Sequence, residues 1–258
     1  MIRMAFCQVQ FFSEALVVAV TVNVIIPERN MGIGVEAKKT AEDPQVLYLL
    51  HGYSDDHSIW MRRTSVERYA AKHNLAVIMP AVNHSFYCNE VHGERYWDFV
   101  SEELPRVMHD FFRLSDKPED TYVAGLSMGG YGAMRLALMH PDRFAAAASF
   151  SGALDMASRV ADAKNSARFV NIFGEVESIK GTEYDLLHML RKQSRAEHRP
   201  RLYVSCGTAD GLFAAHKKFC TQAKKTGWDI ETEEIPDATH EWGLWDRQIE
   251  KFIASYIR

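Results

Sequence analysis

The 258-residue sequence predicts an α/β protein with a mostly parallel central sheet, helices on both faces and an antiparallel strand pair at the N-terminal end. Three observations carry that prediction. The runs 46–52, 75–80, 121–127 and 201–207 are short and apolar without polar alternation, as strands buried on both faces must be. Stretches of helical period separate them. One run leads into Gly-Leu-Ser-Met-Gly at 125–129, a small-residue turn of the kind that joins a buried strand to a helix.

The elements follow in order. In the apolar run 15–26, Val18, Val20, Val22, Val24 and Ile26 share one parity while Thr21 and Asn23 take the other. Period two means a strand, not a signal-peptide core, and no basic segment or small-residue cleavage site frames it. With residues 5–13 it forms the antiparallel pair. Residues 27–45 are polar and rich in turn formers, hence a connection. After the strands 46–52 and 75–80, Val100, Leu104, Val107, Met108 and Phe111 fall on one helix face, with Pro105 marking a start near Ser101 or a kink. The strand 121–127 feeds a helix over Met128–Met139, rich in Ala, Leu and Met. The strand 201–207 follows, then 229–236, whose acidic residues suit a position near a sheet edge. Leu244, Ile249, Phe252, Ile253 and Tyr256 give a closing amphipathic helix over 243–257. The stretch 151–198 breaks the rhythm. It is expected to be a small cap-like insertion over the active edge of the sheet, within one domain spanning 1–258.

Composition narrows the function. The chain is 47% hydrophobic and 25% charged, with a net charge of −4 and a pI near 6.3, so no basic face for nucleic acid is expected. No run reaches the ~18 apolar residues of a membrane span. Cys7, Cys88, Cys206 and Cys220 show no paired spacing, so no disulfide framework is expected and a reducing cytosol suits them. His51, Asp55, Asp56 and His57 are ligand types, but their spacing matches no tetrahedral metal site, and no metal or other cofactor is expected.

Chemistry concentrates at Ser127. A serine on a sharp strand-to-helix turn projects its oxygen from the sheet, and the new helix supplies N–H groups and positive potential beside it. The competing reading is a glycine-rich turn with an incidental serine; the clean strand and helix around it weigh against that. A serine hydroxyl needs a base, and the base an orienting acid. His240 alone among the histidines after Ser127 lies on a loop beyond the last strand; His140, His188, His198 and His216 lie in helical or polar segments or at a helix end. Asp210, just past the strand 201–207, is the preferred acid, with Asp155, Asp162, Asp185 and Asp229 as other carboxylates and Asp237 too close to His240 in sequence. Open α/β sheets bind ligands at the carboxyl ends of their strands, where these loops converge. Oxyanion donors are expected from the N–H of Met128 and the N–H of Tyr53, the latter in the loop after 46–52. His51 reads as structural. Trp60, Trp97 and Trp242, with Phe86 and Tyr87, are candidate pocket walls, each also fit for core packing.

The segments VLYLLHG, RRTSVERY, AVIMP, EELPRVMHDFF, VAGLSMGGYGAMRLAL, FSGALDM, CGTADGLF and THEWGLWDRQIEKF, in that order, resemble landmarks of the esterase D-like group of α/β-hydrolases, most closely the bacterial tributyrin esterases. The resemblance covers most of the chain. It implies the α/β-hydrolase fold and a serine carboxylesterase acting on short acyl esters, with Ser127, Asp210 and His240 matching the family triad. It also implies an acyl-enzyme intermediate, no cofactor, frequent assembly into homo-oligomers and a cytoplasmic setting. Residues 211–216, where relatives often carry Tyr and Asn, and Tyr53 with Asp55 and Asp56 depart from the pattern and leave the substrate open. S-formylglutathione, feruloyl or acetylated-sugar esters and acyl transfer are the alternatives within the class. A non-catalytic binding module is the alternative outside it.

Overall fold

The computed structural model describes residues 3–28, 42–163, 166–175 and 177–258, and statements of absence below refer to these residues. Most of the polar connection 27–45 lies outside them. The strands are β1 (Arg3–Ser13), β2 (Val18–Glu28), β3 (Gln45–Leu50), β4 (Leu75–Pro80), β5 (Thr121–Leu126), β6 (Ala146–Phe150), β7 (Arg201–Gly207) and β8 (Ile230–Ile235). They form one sheet in the order β1-β2-β4-β3-β5-β6-β7-β8. β1 pairs antiparallel with β2, and β2 antiparallel with β4; all pairings from β4 to β8 are parallel. This is the α/β-hydrolase arrangement the sequence predicts, with the strand pair at one edge.

Burial on two faces explains the unbroken apolar runs. In β3, Val46, Tyr48 and Leu50 enter one core while Leu47 and Leu49 enter the other. The first core holds the helix Met128–Met139; the second holds the closing helix Trp242–Tyr256, which buries Leu244, Ile249, Phe252 and Ile253. β8 is the far edge, and Glu231, Glu233 and Glu234 discourage further pairing there.

Three details differ from expectation. β6 is an additional strand, just before the stretch 151–198 and in a segment where the sequence pattern predicts no element. Its sequence, AAASF, carries little strand propensity, since alanine is depleted in sheets. Tertiary packing selects it: every residue is buried, and a Cβ on Gly130 of the neighbouring helix would lie 2.5 Å from Ser149 Oγ. Second, the helix around Pro105 starts earlier. A turn at Tyr96–Asp98 and a π-helical turn at Phe99–Glu103 precede the α-helix Leu104–Phe111. Pro105 thus falls inside a continuous helical run, directly after the π-helical turn, a local widening of the kind that accommodates a residue without an N–H. Third, Phe111 is 56% exposed and packs edge-on to Phe11 of β1 rather than entering the core.

Between β6 and β7 run the short helices Met156–Asp162, Ala167–Phe173 and Leu186–Lys192. No described helix is long and apolar enough to cross a membrane.

Candidate active site

β5 ends at Leu126, and Ser127 stands alone between it and the helix Met128–Met139 with φ 52° and ψ −114°. A residue with a side chain held there costs roughly 1–3 kcal/mol, tolerated only where surroundings enforce it. Here they do. The Ser127 N–H donates to the Phe150 carbonyl at the end of β6 (2.9 Å), and its carbonyl accepts from Ala153 N–H (3.1 Å) and Tyr131 N–H (3.2 Å). The flanking glycines are steric necessities. A Cβ on Gly125 would lie 2.4 Å from the Gly129 backbone, and one on Gly129 would lie 2.4 Å from the Leu50 carbonyl oxygen.

That second contact brings the helix start against the loop leaving β3. The loop is fixed carbonyl by carbonyl. The Trp60 indole N–H donates to Leu50 O (3.0 Å), and the Tyr87 hydroxyl donates to His51 O (2.9 Å). Gly52 O accepts from Asp55 N–H (3.2 Å) and from His51 Nδ1–H (2.7 Å). His51 Nε2 accepts from Val82 N–H (3.0 Å), so the buried ring is neutral with its proton on Nδ1. Burial pushes the His51 pKa down to about 4. Tyr53 follows, and its ring packs on His84 (4.3 Å between centroids) and Phe86 (5.8 Å). Met128 opens its helix, where a backbone N–H has no intrahelical acceptor.

Asp210 and His240 meet across two loops. Asp210 Oδ1 accepts from Leu212 N–H (2.8 Å), and Oδ2 lies 2.8 Å from His240 Nδ1. Burial raises the carboxyl pKa, but the hydrogen bonds from His240 and from Leu212 N–H outweigh it, and the net result is a value below the ordinary one. An ionised Asp210 takes the Nδ1 proton as a hydrogen bond and leaves His240 Nε2 free to accept another. The loops are tied together by Ala209 N–H to Ala238 O (3.1 Å) and Asp237 N–H to Thr208 Oγ1 (2.9 Å). The His240 ring stands edge-on to Trp245 (4.8 Å).

Ser127, Met128, Tyr53, Asp210 and His240 line one cavity of about 710 Å³. Phe86, Ala153, Phe169 and Leu212 supply apolar wall, and Arg159 and Arg168 supply charge. The other candidate acids are engaged elsewhere or remote from it. Asp155 binds Lys218 (2.5 Å), Asp185 caps the helix Leu186–Lys192, and Asp229 pairs with Arg201 (3.1 Å). His140 stacks on Trp97, and His216 is buried against Cys220.

The tryptophan assignments need correction. None of the three lines this cavity. Trp60 is buried beneath the β3 loop, its N–H committed to Leu50 O. Trp242 packs edge-on to Trp60 and Trp245. Trp97 lies under the Arg135 guanidinium (3.9 Å). The walls come instead from Phe86 and from residues of the 151–198 stretch, chiefly Arg159, Arg168 and Phe169, which sequence reasoning did not single out. Their only signal was the place of that stretch between β6 and β7. Among the described residues no group of three or more His, Cys, Asp or Glu could hold a metal ion, and the His51, Asp55, Asp56 and His57 set forms none.

Comparisons with known proteins bear on the family and the fold. Residues 13–255 match the family model for putative esterases. The chain is 29% identical over 255 residues to an acetyl esterase of Caldicellulosiruptor saccharolyticus, covering 95% of this chain and 96% of that protein. Among solved structures, the Staphylococcus aureus fluorophosphonate-binding serine hydrolase FphF superposes with a TM-score of 0.89 at 33% identity, covering 99% of both chains. The S-formylglutathione hydrolase FrmB from the same organism gives 0.86 at 34%, covering 99% of this chain and 100% of that one. A ferulic acid esterase at 20% identity (TM-score 0.80, 100% and 99% covered) shares the fold. The chain therefore belongs to the esterase family, a carboxylic ester hydrolase on the α/β-hydrolase fold.

Proposed function

Taking membership of the esterase family as the premise, we propose that this protein hydrolyses short-chain acyl esters with Ser127 as nucleophile, His240 as base and Asp210 as its orienting acid. The observation that carries the reading is the 2.8 Å contact between Asp210 Oδ2 and His240 Nδ1 at the cavity that Ser127 also lines. In the first step Ser127 Oγ attacks the ester carbonyl while its proton passes to His240 Nε2. The carbonyl π electrons move to oxygen, and that oxyanion is held by the N–H groups of Met128 and Tyr53. Asp210 stabilises the imidazolium without taking its proton. The oxyanion collapses, the C–O bond to the alcohol breaks, and the imidazolium protonates the departing alcohol. Water then repeats the sequence on the acyl-serine and releases the acid.

A short acyl group is favoured by the names of two similar proteins, an acetyl esterase and an S-formylglutathione hydrolase, whose acyl groups hold one or two carbons. The test is hydrolysis of p-nitrophenyl esters from acetate to laurate by the wild type and by Ser127→Ala, with fluorophosphonate labelling alongside. The expected result is turnover highest for the shortest chains, with labelling and turnover both lost in the variant. Labelling at another residue, or turnover retained by Ser127→Ala, would overturn the assignment. A maximum at long chains would overturn the short-acyl reading alone.

A further inference from the structure

We propose that the preferred substrates carry a negatively charged group, a carboxylate or phosphate, a few carbon atoms from the scissile ester or thioester, and that Arg159 and Arg168 select for it. The inference rests on the esterase reading above and deepens it. Arg159 lies on the helix Met156–Asp162 and Arg168 on the helix Ala167–Phe173; both line the same cavity as Ser127 and His240. Neither guanidinium is within ion-pair distance of a carboxylate among the described residues. The single carboxylate in the described lining is Asp210, and it is committed to His240 and Leu212. The cavity therefore holds two cationic side chains against one internally paired anion.

Arg168 is also oriented. Its guanidinium sits 5.6 Å from the centroid of the Tyr53 ring, and Tyr53 belongs to the loop expected to hold the oxyanion. A guanidinium held over a ring still has N–H groups free for contact with a carboxylate or phosphate. Its field also reaches His84, which packs on Tyr53: burial first and the Arg168 charge second hold the His84 pKa below its ordinary value. Phe86, Phe169 and Leu212 line the same cavity as these charges and Ser127. A cavity that combines apolar wall, cationic side chains unpaired among the described residues and the candidate nucleophile matches a ligand that carries both an anion and a reacting carbonyl. A neutral short ester would fill the apolar part and leave both arginines to water.

The anion could sit on the acyl side or on the leaving-group side, and two substrate pairs separate these. p-Nitrophenyl hydrogen adipate is compared with its methyl ester, and p-acetoxyphenylacetate with its methyl ester. Each pair differs only in one remote charge. The readout is the anionic-to-neutral ratio of kcat/KM, in which the fraction of folded enzyme cancels. The expected ratio is about tenfold in at least one pair at low salt, shrinking as salt is raised. Arg159→Gln and Arg168→Gln should each lower that ratio about fivefold, and the corresponding Lys variants should keep much of it. Ratios at or below one in both pairs, or ratios that neither Gln variant moves, would refute the proposal while the neutral esters still report a working esterase. Failure of the wild type on all four compounds would instead refute the esterase reading, and this inference with it.

Discussion

His51 should make the stability of this protein fall steeply in mild acid. The ring is 1% exposed, accepts from Val82 N–H through Nε2 and donates to Gly52 O through Nδ1. Adding a proton to Nε2 would set two donors against each other and charge a buried ring. That is why burial pushes its pKa from 6.5 to about 4. The unfolded chain protonates near pH 6.5, so between there and pH 4 it binds the proton and the folded protein does not. Stability is therefore complete above pH 6.5 and declines as the pH falls toward 4. A gap of about 2.5 pH units at about 1.4 kcal/mol per unit gives a full loss of about 3.5 kcal/mol below pH 4, of which about 2.4 kcal/mol falls between pH 7 and 4.5. Urea unfolding at pH 7, 5.5 and 4.5 measures it. Carboxylates contribute to the same trend, so the comparison is with His51→Gln, whose side-chain oxygen can accept from Val82 N–H but cannot titrate. The variant should be less stable at pH 7 and lose about 2.4 kcal/mol less than the wild type between pH 7 and 4.5. Parallel stability curves for the two proteins would refute the reasoning.

Two further outcomes rest on the same geometry. Asp210→Asn should lower kcat by about 10⁴-fold, because an amide no longer dictates that the Nδ1 of His240 carries the proton, and thermal unfolding should show the variant still folded. Gly129→Ala should remove most esterase activity and lower stability by more than about 2 kcal/mol, since its Cβ would press to 2.4 Å on Leu50 O and 2.7 Å on His51 O, backbone atoms that cannot rotate away; esterase assay and denaturant unfolding check both.

The sheet was legible where both faces are buried. Runs such as Leu75–Pro80 leave no polar position, so their pattern alone dictates a two-sided strand. β6 escaped because four of its five residues are alanine or serine, which carry little strand signal. The turn at Ser127 was legible because local sterics write it: Gly125 and Gly129 must lack a Cβ. The loops of Asp210 and His240 were legible from their place at strand ends, and the fold brings those two side chains together. The cavity wall was not. Trp60 and Trp242 look like wall in sequence, yet large aromatics gain most by burial, and these two pack on each other under the second core. Arg159 and Arg168 look like ordinary solvated helix residues, and only the path of the chain after β6 turns them toward the cavity.

That path links the nucleophile to the substrate wall. The strained backbone of Ser127 is held by the end of β6 and the turn beyond it: Phe150 accepts its N–H, and Ala153 donates to its carbonyl. Ala153 also lines the cavity, and the same segment continues into the helices that carry Arg159 and Arg168. Substitutions at the exposed end of this segment can retune the charge of the wall without touching the hydrogen bonds that hold Ser127. Substitutions at Phe150 to Ala153 cannot, because there the wall and the clamp on the nucleophile are the same backbone. Diversity in substrate choice on this scaffold should therefore concentrate beyond residue 155. The weakly patterned strand before it should tolerate little change, since the bonds that keep Ser127 strained from outside its own helix come from that strand and its turn.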